Sequence, residues 1–423
     1  PVYSKDRKDL FPIVMGGGPC VCNAEPIADF FDLFVLGEGE EVNLKMMQLA
    51  EKFKKNGGTK QEYLEQAAQI EGIYVPSLYD ISYNEDGTVK AITPKNNAPA
   101  KVRKQIIDDF DKVYTPDSFV VPYTQIVHDR SVVEVLRGCI RGCRFCQAGF
   151  IYRPFREKSK ETIVNQVKSL TETTGYDEVS LSSLSTSDYS DIEGLLNDIT
   201  EYTDKKGVNL SLPSLRIDKF SDEKIKSVRR SGLTFAPEAG SQRLRDVINK
   251  NITEEAIFKS CKIAFEGGYS SVKLYFMLGL PTETLDDIKA IKELADKIID
   301  LYYNTEGRSK KAISISISLS TFIPKPFTPF EYEPQATEEQ INERQKYLLD
   351  IIGSKGRRRI DVSWSHYDTT ILEAVLARGD RKLSAVIYEA WKNGCKLDGW
   401  NEYFKPDIWN AAFEKFGIDK AFY

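Results

Sequence analysis

The sequence contains no apolar run that approaches the roughly 18 residues needed to cross a bilayer, and it has no signal-peptide pattern. It also lacks a strong charge of either sign, since 58 Lys and Arg stand against 63 Asp and Glu, a net charge of −5. Such a balance gives no general attraction to nucleic acid or to an anionic membrane, and it argues against both as partners. A disulfide framework is not expected either, because three of the seven cysteines fall within eight positions. These features predict a protein of the reducing cytoplasm.

What the chain does have is the composition of a globular protein: 423 residues, 41% of them hydrophobic and 29% charged. That length predicts about two or three domains, with enough apolar residues for sizeable cores. The chain begins with Pro1 and not with methionine, and its first residues read as the inside of a domain. We therefore interpret it as a piece of a longer protein.

Two short apolar runs near the start predict strands of a parallel sheet. Residues 11–15 lead into a run of three glycines, and residues 32–36 lead towards a helical pattern over 42–54. Alternation of short strands with helices is typical of α/β domains. Since two strands are too few for a sheet, residues 1–54 are predicted to be the remnant of a Rossmann-like α/β domain, the C-terminal part of it.

The next segment, residues 55–130, is predicted to be a linker that contains a β-hairpin. Residues 78–83 and 88–92 have strand-like sequences and flank a turn that ends at Gly87. Several prolines then punctuate the chain up to the next domain.

Strands and helices alternate regularly over residues 131–332. The predicted strands are 132–136, 178–184, 210–215, 233–236, 271–278 and 313–323. The predicted helices between them are 161–173, 192–203, 223–230, 254–266 and 285–302. Because a complete barrel has eight such units, six units predict an α/β fold of the partial (βα)6 barrel type. Residues 333–423 are predicted to form a mainly helical C-terminal region.

The last predicted strand has two different faces. Ile315, Ile317 and Leu319 alternate with serines. This period of two places the apolar residues against the outer helices and the serines on the interior of the barrel, where their small size would leave room for a ligand. The alternative is an edge strand with one solvated face.

Three cysteines, Cys139, Cys143 and Cys146, lie close together after the first barrel strand. Gly138 and Gly142 allow the backbone to curl tightly, so that the three thiols can converge. Thiolates are soft ligands that suit iron–sulfur clusters and zinc. Since βα barrels place their chemistry at the carboxyl ends of the strands, the sequence predicts a metal centre there.

The number of cysteines separates the candidate metal centres. A structural zinc site closes with four ligands, whereas a 4Fe–4S cluster held by three cysteines keeps one iron open to another ligand. His128 is the candidate for a fourth zinc ligand, although it precedes the strand and is expected at its other end. Zinc, and an electron-transfer cluster completed by a distant cysteine, remain the alternatives.

The spacing Cys139-x3-Cys143-x2-Cys146, with Phe145 just before the last cysteine, resembles the signature of the radical S-adenosylmethionine (SAM) superfamily. The resemblance implies a 4Fe–4S cluster whose open iron binds the amino and carboxylate groups of SAM. It further implies that an electron from the cluster cleaves SAM to a 5′-deoxyadenosyl radical, which abstracts hydrogen from a substrate. The chain is accordingly expected to be an enzyme, with Phe145 close to the cofactors.

The same resemblance implies which residues hold the methionine part of SAM. Ser182 and Ser183 stand where the family often has a Gly-Gly-Glu type of motif, and their hydroxyls are expected to accept from the SAM amino group. Arg216, at the end of the next predicted strand, is expected to pair with the SAM carboxylate.

Two further motifs are similar to those that hold the adenosine part of SAM. Glu238, in the sequence Glu238-Ala-Gly-Ser241, is expected to accept hydrogen bonds from the ribose hydroxyls, with Ser241 beside it. The backbone near Leu280 is expected to line the adenine pocket.

Two other stretches resemble particular branches of the superfamily. Residues 323–330 look like the loop after the sixth strand in the methylthiotransferase-like branch, and residues 15–19 with 32–40 look like the tail of a cobalamin-binding domain. The Asp-x-His-x-x-Gly motif that binds cobalt through histidine is not in the chain, so cobalamin is left undecided. The whole arrangement looks most like a subgroup with no assigned reaction.

One cysteine of the C-terminal region is a further candidate for catalysis. Cys395 follows Gly394 after a predicted helix, and a second cysteine in a radical enzyme can serve as hydrogen donor or covalent anchor. An inert buried thiol is the alternative interpretation.

The sequence thus predicts a radical SAM enzyme with an unidentified substrate and an electron donor such as flavodoxin or ferredoxin. Cobalamin-dependent methyl transfer and methylthio transfer to tRNA are rival reactions within this class. The acidic balance, and the lack of a recognisable RNA-binding β-barrel, argue against the tRNA reaction. Outside the enzymes, the alternative is an iron–sulfur or zinc scaffold protein.

Overall fold

The computed structural model of the protein describes residues 1–211 and 233–423. The chain folds into two compact units: residues 1–109 together with 368–423 form the first unit, and residues 110–367 form the second. These limits differ from the predicted domains, because the predicted C-terminal region, 333–423, contributes to both units. The predicted boundaries themselves remain a prediction.

A small mixed sheet lies in the first unit. Its strands are β1 (Met15–Gly17), β2 (Leu33–Val35) and β3 (Ile73–Tyr74). β1 and β2 are parallel, whereas β3 runs antiparallel to β2. Two helices, α1 (Glu40–Asn56) and α2 (Lys60–Ala67), bury their apolar side chains in the core that contains Leu33 and Ile73.

The predicted hairpin is confirmed. β4 (Tyr79–Tyr83) and β5 (Val89–Pro94) pair antiparallel, and the amide of Asn84 donates to the carbonyl of Thr88 at 2.9 Å to close the turn. Asn84-Glu-Asp-Gly87 is rich in the residues that favour such turns.

The second unit begins with a three-stranded parallel sheet. Its elements, in chain order, are β6 (Ser131–Glu134), β7 (Leu136–Arg137), α3 (Ala148–Ile151), β8 (Arg156–Glu157), α4 (Lys160–Thr174), β9 (Glu178–Ser182), α5 (Ile192–Lys206) and β10 (Asn209–Ser211). The strand order is β10-β9-β6, and the short strands β7 and β8 form a separate antiparallel pair. The amphipathic helices α4 and α5 cover the apolar face of this sheet.

A four-stranded parallel sheet follows in the same unit. Its elements are β11 (Leu233–Glu238), α6 (Gln242–Val247), α7 (Glu254–Glu266), β12 (Ser271–Leu278), α8 (Leu285–Asn304), β13 (Ser314–Thr321), α9 (Glu338–Gly356) and β14 (Ile360–Trp364). The strands lie in chain order, each parallel to the next. Six of the parallel strands in the two sheets match the predicted barrel strands, and β14 is an addition that the sequence did not predict. Part of the third predicted strand, 212–215, and the predicted helix 223–230 lie outside the described residues.

The two faces of the four-stranded sheet differ as the sequence predicted. Ile315, Ile317 and Leu319 are at most 3% exposed and pack against the helices, whereas Ser316 and Ser318 point to the opposite face and are half-buried. We call this opposite face the interior face. The edge-strand alternative is wrong, because β13 is paired with β12 on one side and β14 on the other.

Three helices complete the first unit: α10 (Tyr367–Arg378), α11 (Leu383–Lys392) and α12 (Pro406–Lys415). The guanidinium of Arg381 pairs with Glu25 at 3.0 Å and donates to the Tyr74 hydroxyl at 2.8 Å. The amide side chain of Asn23 donates to the carbonyls of Ala377 and Gly379. These bonds attach the C-terminal helices to the N-terminal part of the same unit. Within the described residues, no helix combines the length and the apolarity needed to cross a membrane.

Candidate functional site

The three cysteines lie on a loop at the carboxyl end of the first barrel strand. The β6–β9 ladder continues to Val135, whose amide donates to the carbonyl of Ser182 at 3.1 Å, and β7 then leads into the cysteine loop, residues 138–147. Gly138 and Gly142 have φ angles of +82° and +67°, which confirms the predicted need for glycine at both positions. A Cβ atom at Gly138 would lie 2.8 Å from the Pro154 carbonyl oxygen.

The three cysteines of the loop are free thiols of different exposure. Cys143 is buried, Cys139 and Cys146 are half-buried, and none forms a disulfide. Among the described residues, no group of three or more His, Cys, Asp and Glu side chains surrounds one ion closely enough to bind it. His128, the candidate fourth zinc ligand, precedes β6 at its amino end and contacts Arg130.

Hydrogen bonds hold the cysteine loop against two segments of the four-stranded sheet, one after β11 and one after β13. The Arg144 amide donates to the Ile248 carbonyl at 3.0 Å, and the Asn249 side chain donates to the Gly142 carbonyl at 2.9 Å. From the segment after β13, the Phe330 amide donates to the Arg144 carbonyl at 3.3 Å. The cysteine loop begins on the three-stranded sheet. Its position is therefore fixed by segments that follow strands of the four-stranded sheet.

A bidentate ion pair attaches the loop to the end of β9. The guanidinium of Arg141 binds both carboxylate oxygens of Asp188, with Nε to Oδ2 at 2.7 Å. The Asp188 side chain is only 2% exposed, and the Ser185 hydroxyl donates to it at 2.8 Å. Charge-assisted bidentate bonds of this kind restrict both distance and orientation.

Phe145 packs on the segments that follow three other barrel strands. It contacts an apolar cluster that includes Ala239 after β11, Leu280 after β12 and Phe322 after β13. The sequence singled out Phe145, Glu238 and Leu280 separately, and the structure brings their segments together at one end of the strands.

Lys250 connects Phe145 with Glu238. Its ammonium group lies 5.7 Å from the Phe145 ring centroid and 3.1 Å from the Glu238 carboxylate. Both charged side chains are at least 84% buried. Burial raises the pKa of the Glu238 carboxyl, and the ammonium of Lys250 opposes that rise. Glu238 also has a φ of +67°, which is uncommon for a residue with a side chain.

The remaining predicted SAM residues have the following positions. Ser182 is the half-buried last residue of β9, and the Ser183 hydroxyl pairs with that of Thr186 at 2.8 Å. Ser241 caps α6, since its hydroxyl accepts from the Leu244 amide at 3.1 Å and donates to Asp287. Arg216 lies outside the described residues.

Cys395, the candidate second catalytic cysteine, is not in the same unit as the cysteine loop. It lies in the first unit, 4% exposed, in an apolar cluster that includes Val386, Ala390 and Trp409. Burial raises the pKa of its thiol, which disfavours the thiolate. These surroundings favour the interpretation as an inert thiol.

Sequence reasoning did not find four residues that shape the site: Arg141, Asp188, Asn249 and Lys250. Arg141 lies between two of the cysteines, and that position alone was a signal that it could fix the loop. Asp188 and Lys250 had no comparable local pattern, because each acts on a residue from another element.

The comparisons with known proteins agree with this geometry. Residues 133–295 match the family profile described as radical SAM superfamily, and residues 1–76 match the one described as radical SAM proteins, N-terminal. An uncharacterized protein of Methanocaldococcus jannaschii is 34% identical over 375 residues, which cover 88% of this chain and 72% of that protein. A methylthiotransferase-like protein of the same organism is 24% identical over 273 residues, covering 52% of this chain and 60% of that protein.

Among solved structures, the fold is similar to that of the radical SAM methyltransferase TsrM from Kitasatospora setae, determined with cobalamin and a [4Fe–4S] cluster bound. The TM-score is 0.51 at 13% identity, and the match covers 96% of this chain and 82% of that one. An identity this low supports similarity of fold alone. The family profiles and the first relative together show that the chain belongs to the radical SAM superfamily, whose members are enzymes that use a 4Fe–4S cluster and SAM.

Proposed function

We propose that Cys139, Cys143 and Cys146 bind three irons of a 4Fe–4S cluster and that the fourth iron binds SAM. The position of the cysteine loop carries this proposal. The loop lies at the carboxyl ends of the strands and is hydrogen-bonded to segments that follow β11 and β13. Phe145 of this loop packs on the cluster that contains Leu280, and its ring lies near Lys250, the partner of Glu238; the family resemblance assigns Glu238 and Leu280 to SAM.

When bound, the cluster and SAM supply a one-electron cleavage that gives a 5′-deoxyadenosyl radical, which abstracts hydrogen from a substrate. The residues of the chain bind the cluster and SAM and orient them. Asn249 and Asp188 hold the cysteine loop, and Phe145 with Leu280 shields one side of it from water.

Glu238 and the serines at the end of β9 have separate roles in binding SAM. The Glu238 carboxylate accepts hydrogen bonds from the ribose hydroxyls, while Lys250 orients that carboxylate and opposes the rise of its pKa on burial. Ser182 and Ser183 offer hydroxyl oxygens to the SAM ammonium group. Arg216 is proposed for the SAM carboxylate on the family resemblance alone.

The experiment that tests this proposal is cleavage of SAM without air. The cluster is reconstituted, dithionite and SAM are added, and 5′-deoxyadenosine is measured by mass spectrometry. Replacing any one of the three loop cysteines by serine is expected to abolish both the cluster absorbance and the product. Cys20→Ser is the matched control, because Cys20 is exposed in the first unit. Wild-type protein that carries iron and sulfide but forms no 5′-deoxyadenosine would contradict the proposal.

Methyl transfer through cobalamin is a second candidate for the reaction. One observation favours it: a match that covers 96% of the chain relates its fold to that of a radical SAM methyltransferase determined with cobalamin bound. The cobalt content of the purified protein tests this candidate. About one cobalt per chain supports it, while cobalt-free protein that still cleaves SAM rejects it.

The electron that cleaves SAM has to come from a strong reductant. We propose a flavodoxin or a ferredoxin for this role, in the reducing cytoplasm, because 4Fe–4S centres reach low reduction potentials. Replacing dithionite by reduced flavodoxin in the same assay is expected to preserve product formation.

A further inference from the structure

The interior face of the four-stranded sheet carries an unusual row of polar residues. Thr234, Lys273, Ser316 and Asp361 are direct partners on β11, β12, β13 and β14, so they form one row across all four strands. Partners in a parallel sheet point to the same face. The opposite face of the same strands is apolar and packs on the helices. Only the face that carries this row is polar.

Two opposite charges in this row have no ion-pair partner among residues 1–211 and 233–423. Within the described part of the chain, neither Lys273 nor Asp361 forms an ion pair, and both side chains are exposed. The ammonium of Lys273 lies 4.9 Å from the ring centroid of Tyr275 on the same strand. By contrast, lysines on the outer helix α8 pair within one helical turn, as Lys289 does with Glu293 at 3.1 Å.

The spacing of the two charges suits a ligand group between them. Lys273 and Asp361 are separated by the strand that carries Ser316, and neighbouring strands lie about 4.8 Å apart, so their backbones are roughly 10 Å apart. Opposite charges on adjacent strands would neutralise each other directly. Here the intervening residue is a small hydroxyl, which leaves space between the ammonium and the carboxylate.

The row lies far from the carboxyl ends of the strands, the end of the strands at which the cysteine loop also lies. Lys273 precedes Leu278, the last residue of β12, by five positions, which corresponds to about 17 Å at 3.3 Å per residue. A second row, Tyr275, Ser318 and Ser363, lies between the charged row and the carboxyl ends. A substrate that contacts the charged row and also reaches the carboxyl ends is therefore extended and offers hydrogen-bonding groups along its length.

We propose that the interior face binds an extended substrate whose far end carries a carboxylate and an ammonium on neighbouring atoms, as an α-amino acid does. Lys273 binds the carboxylate, Asp361 binds the ammonium, and the Ser316 hydroxyl lies between them. This inference rests on the proposed function, because the reacting C–H bond then lies at the carboxyl ends of the strands, where SAM is bound.

Binding of three simple probes tests the proposal. L-Norleucine carries both charges, hexanoate only the carboxylate, and hexylamine only the ammonium. Saturation-transfer NMR, with saturating SAM present to occupy the SAM site, is expected to show binding of L-norleucine at least five-fold stronger than that of the other two. Lys273→Met and Asp361→Asn are each expected to abolish it. Lys262→Met is the matched control, because Lys262 is 59% exposed on the outer helix α7.

Two results would overturn the inference: L-norleucine binding that both variants retain, or hexanoate binding as strong as that of L-norleucine. SAM cleavage by the wild-type protein is measured in parallel, so that the two proposals can fail separately. Binding that depends on Lys273 in a protein that does not cleave SAM contradicts the proposed function alone. SAM cleavage without such binding contradicts the assignment of the substrate alone.

Discussion

At the scale of single residues, a buried arginine determines the shape of the segment that carries Glu238. Arg245 is fully buried, and its guanidinium donates to the carbonyls of Ile252, Ala239 and Gly240 at 3.1, 3.0 and 2.8 Å. Two of these acceptors belong to the turn directly after Glu238. The guanidinium is satisfied by carbonyl oxygens, so it acts as a rigid scaffold for the turn.

Arg245→Met is therefore expected to destabilise the second unit by about 3 kcal/mol or more, because three buried carbonyl groups lose their donor. Urea denaturation measures this change. Arg358→Met, at an exposed position, is the control and is expected to stay within about 0.5 kcal/mol. Equal stabilities of the two variants would show that the turn holds its shape without Arg245.

Glu283 predicts a pH dependence of stability. Its side chain is 1% exposed, and burial raises the pKa of its carboxyl from 4.5 to about 7, although Arg344 and the Gly279 amide oppose the rise. Between about pH 4.5 and pH 7 the folded state holds a proton that the unfolded state has lost, so this group makes stability fall as pH rises. Glu283→Gln is expected to flatten that slope in urea denaturation between pH 5 and pH 8. Glu343→Gln, exposed on α9, should leave the slope unchanged.

The sequence revealed those site residues that form a short local motif, and it did not reveal those that act on distant parts of the chain. Cys139, Cys143 and Cys146 follow a spacing within eight residues, and Gly138 and Gly142 indicate the turn. Asp188 is 47 residues from Arg141, and its effect on the loop requires the β6–β9 pairing. No sequence periodicity indicates a pair of residues this far apart. The contact between Arg141 and Asp188 is therefore visible only in the folded structure.

At the scale of elements, the turn after β11 approaches the backbone of α8 very closely. A Cβ atom at Gly240 would lie 2.4 Å from the Ile291 amide nitrogen and 2.7 Å from the Asp287 carbonyl oxygen. Both neighbours are backbone atoms of a twenty-residue helix, so neither can move aside easily. The absence of a side chain at Gly240 sets the distance between the turn and α8.

Gly240→Ala is expected to destabilise the protein by about 1–3 kcal/mol, since overpacking a close backbone contact costs that much. Gly149→Ala is the matched control: Gly149 lies in α3, and a Cβ there meets no atom within 4 Å. It should be neutral or stabilising by up to about 1 kcal/mol, because alanine favours helix. Thermal unfolding of both variants measures the difference.

Elements with clear ends were predicted well, and an element defined only by its neighbours was missed. α7 runs from Glu254 to Glu266, as predicted, because Thr253 caps it and Gly267 follows it. β14 has only five residues, directly after a run of arginines, so its alternation of Ile360, Val362 and Trp364 with two polar residues is a short signal. Its pairing with β13 makes it a strand, and pairing is not visible in the local sequence.

At the scale of the whole molecule, the first unit is built from two distant parts of the chain. Residues 1–109 and 368–423 fold together, and Arg381 pairs with Glu25 across 356 positions. The sequence did not predict this arrangement, since the two parts carry no shared motif. The predicted helical region at the C-terminus was recognised, but its division between the two units was not.

Limited proteolysis tests this discontinuity. The segment 114–127 has no regular secondary structure, and Tyr114 and Tyr123 are largely exposed, so chymotrypsin is expected to cut there first. The two fragments should elute together in size-exclusion chromatography under native conditions, because residues 368–423 remain bound to residues 1–109. They should separate in urea. Separate elution without urea would contradict a first unit assembled from both ends.

The discontinuity also sets an order of events on the ribosome. Residues 1–109 are made before residues 110–367, and their partner helices are made last. At about 5–20 residues per second, the early segment waits on the order of tens of seconds before α10 to α12 appear. During that interval Glu25 and Tyr74 lack their partner Arg381, so the first unit is completed only after the C-terminal helices have been made.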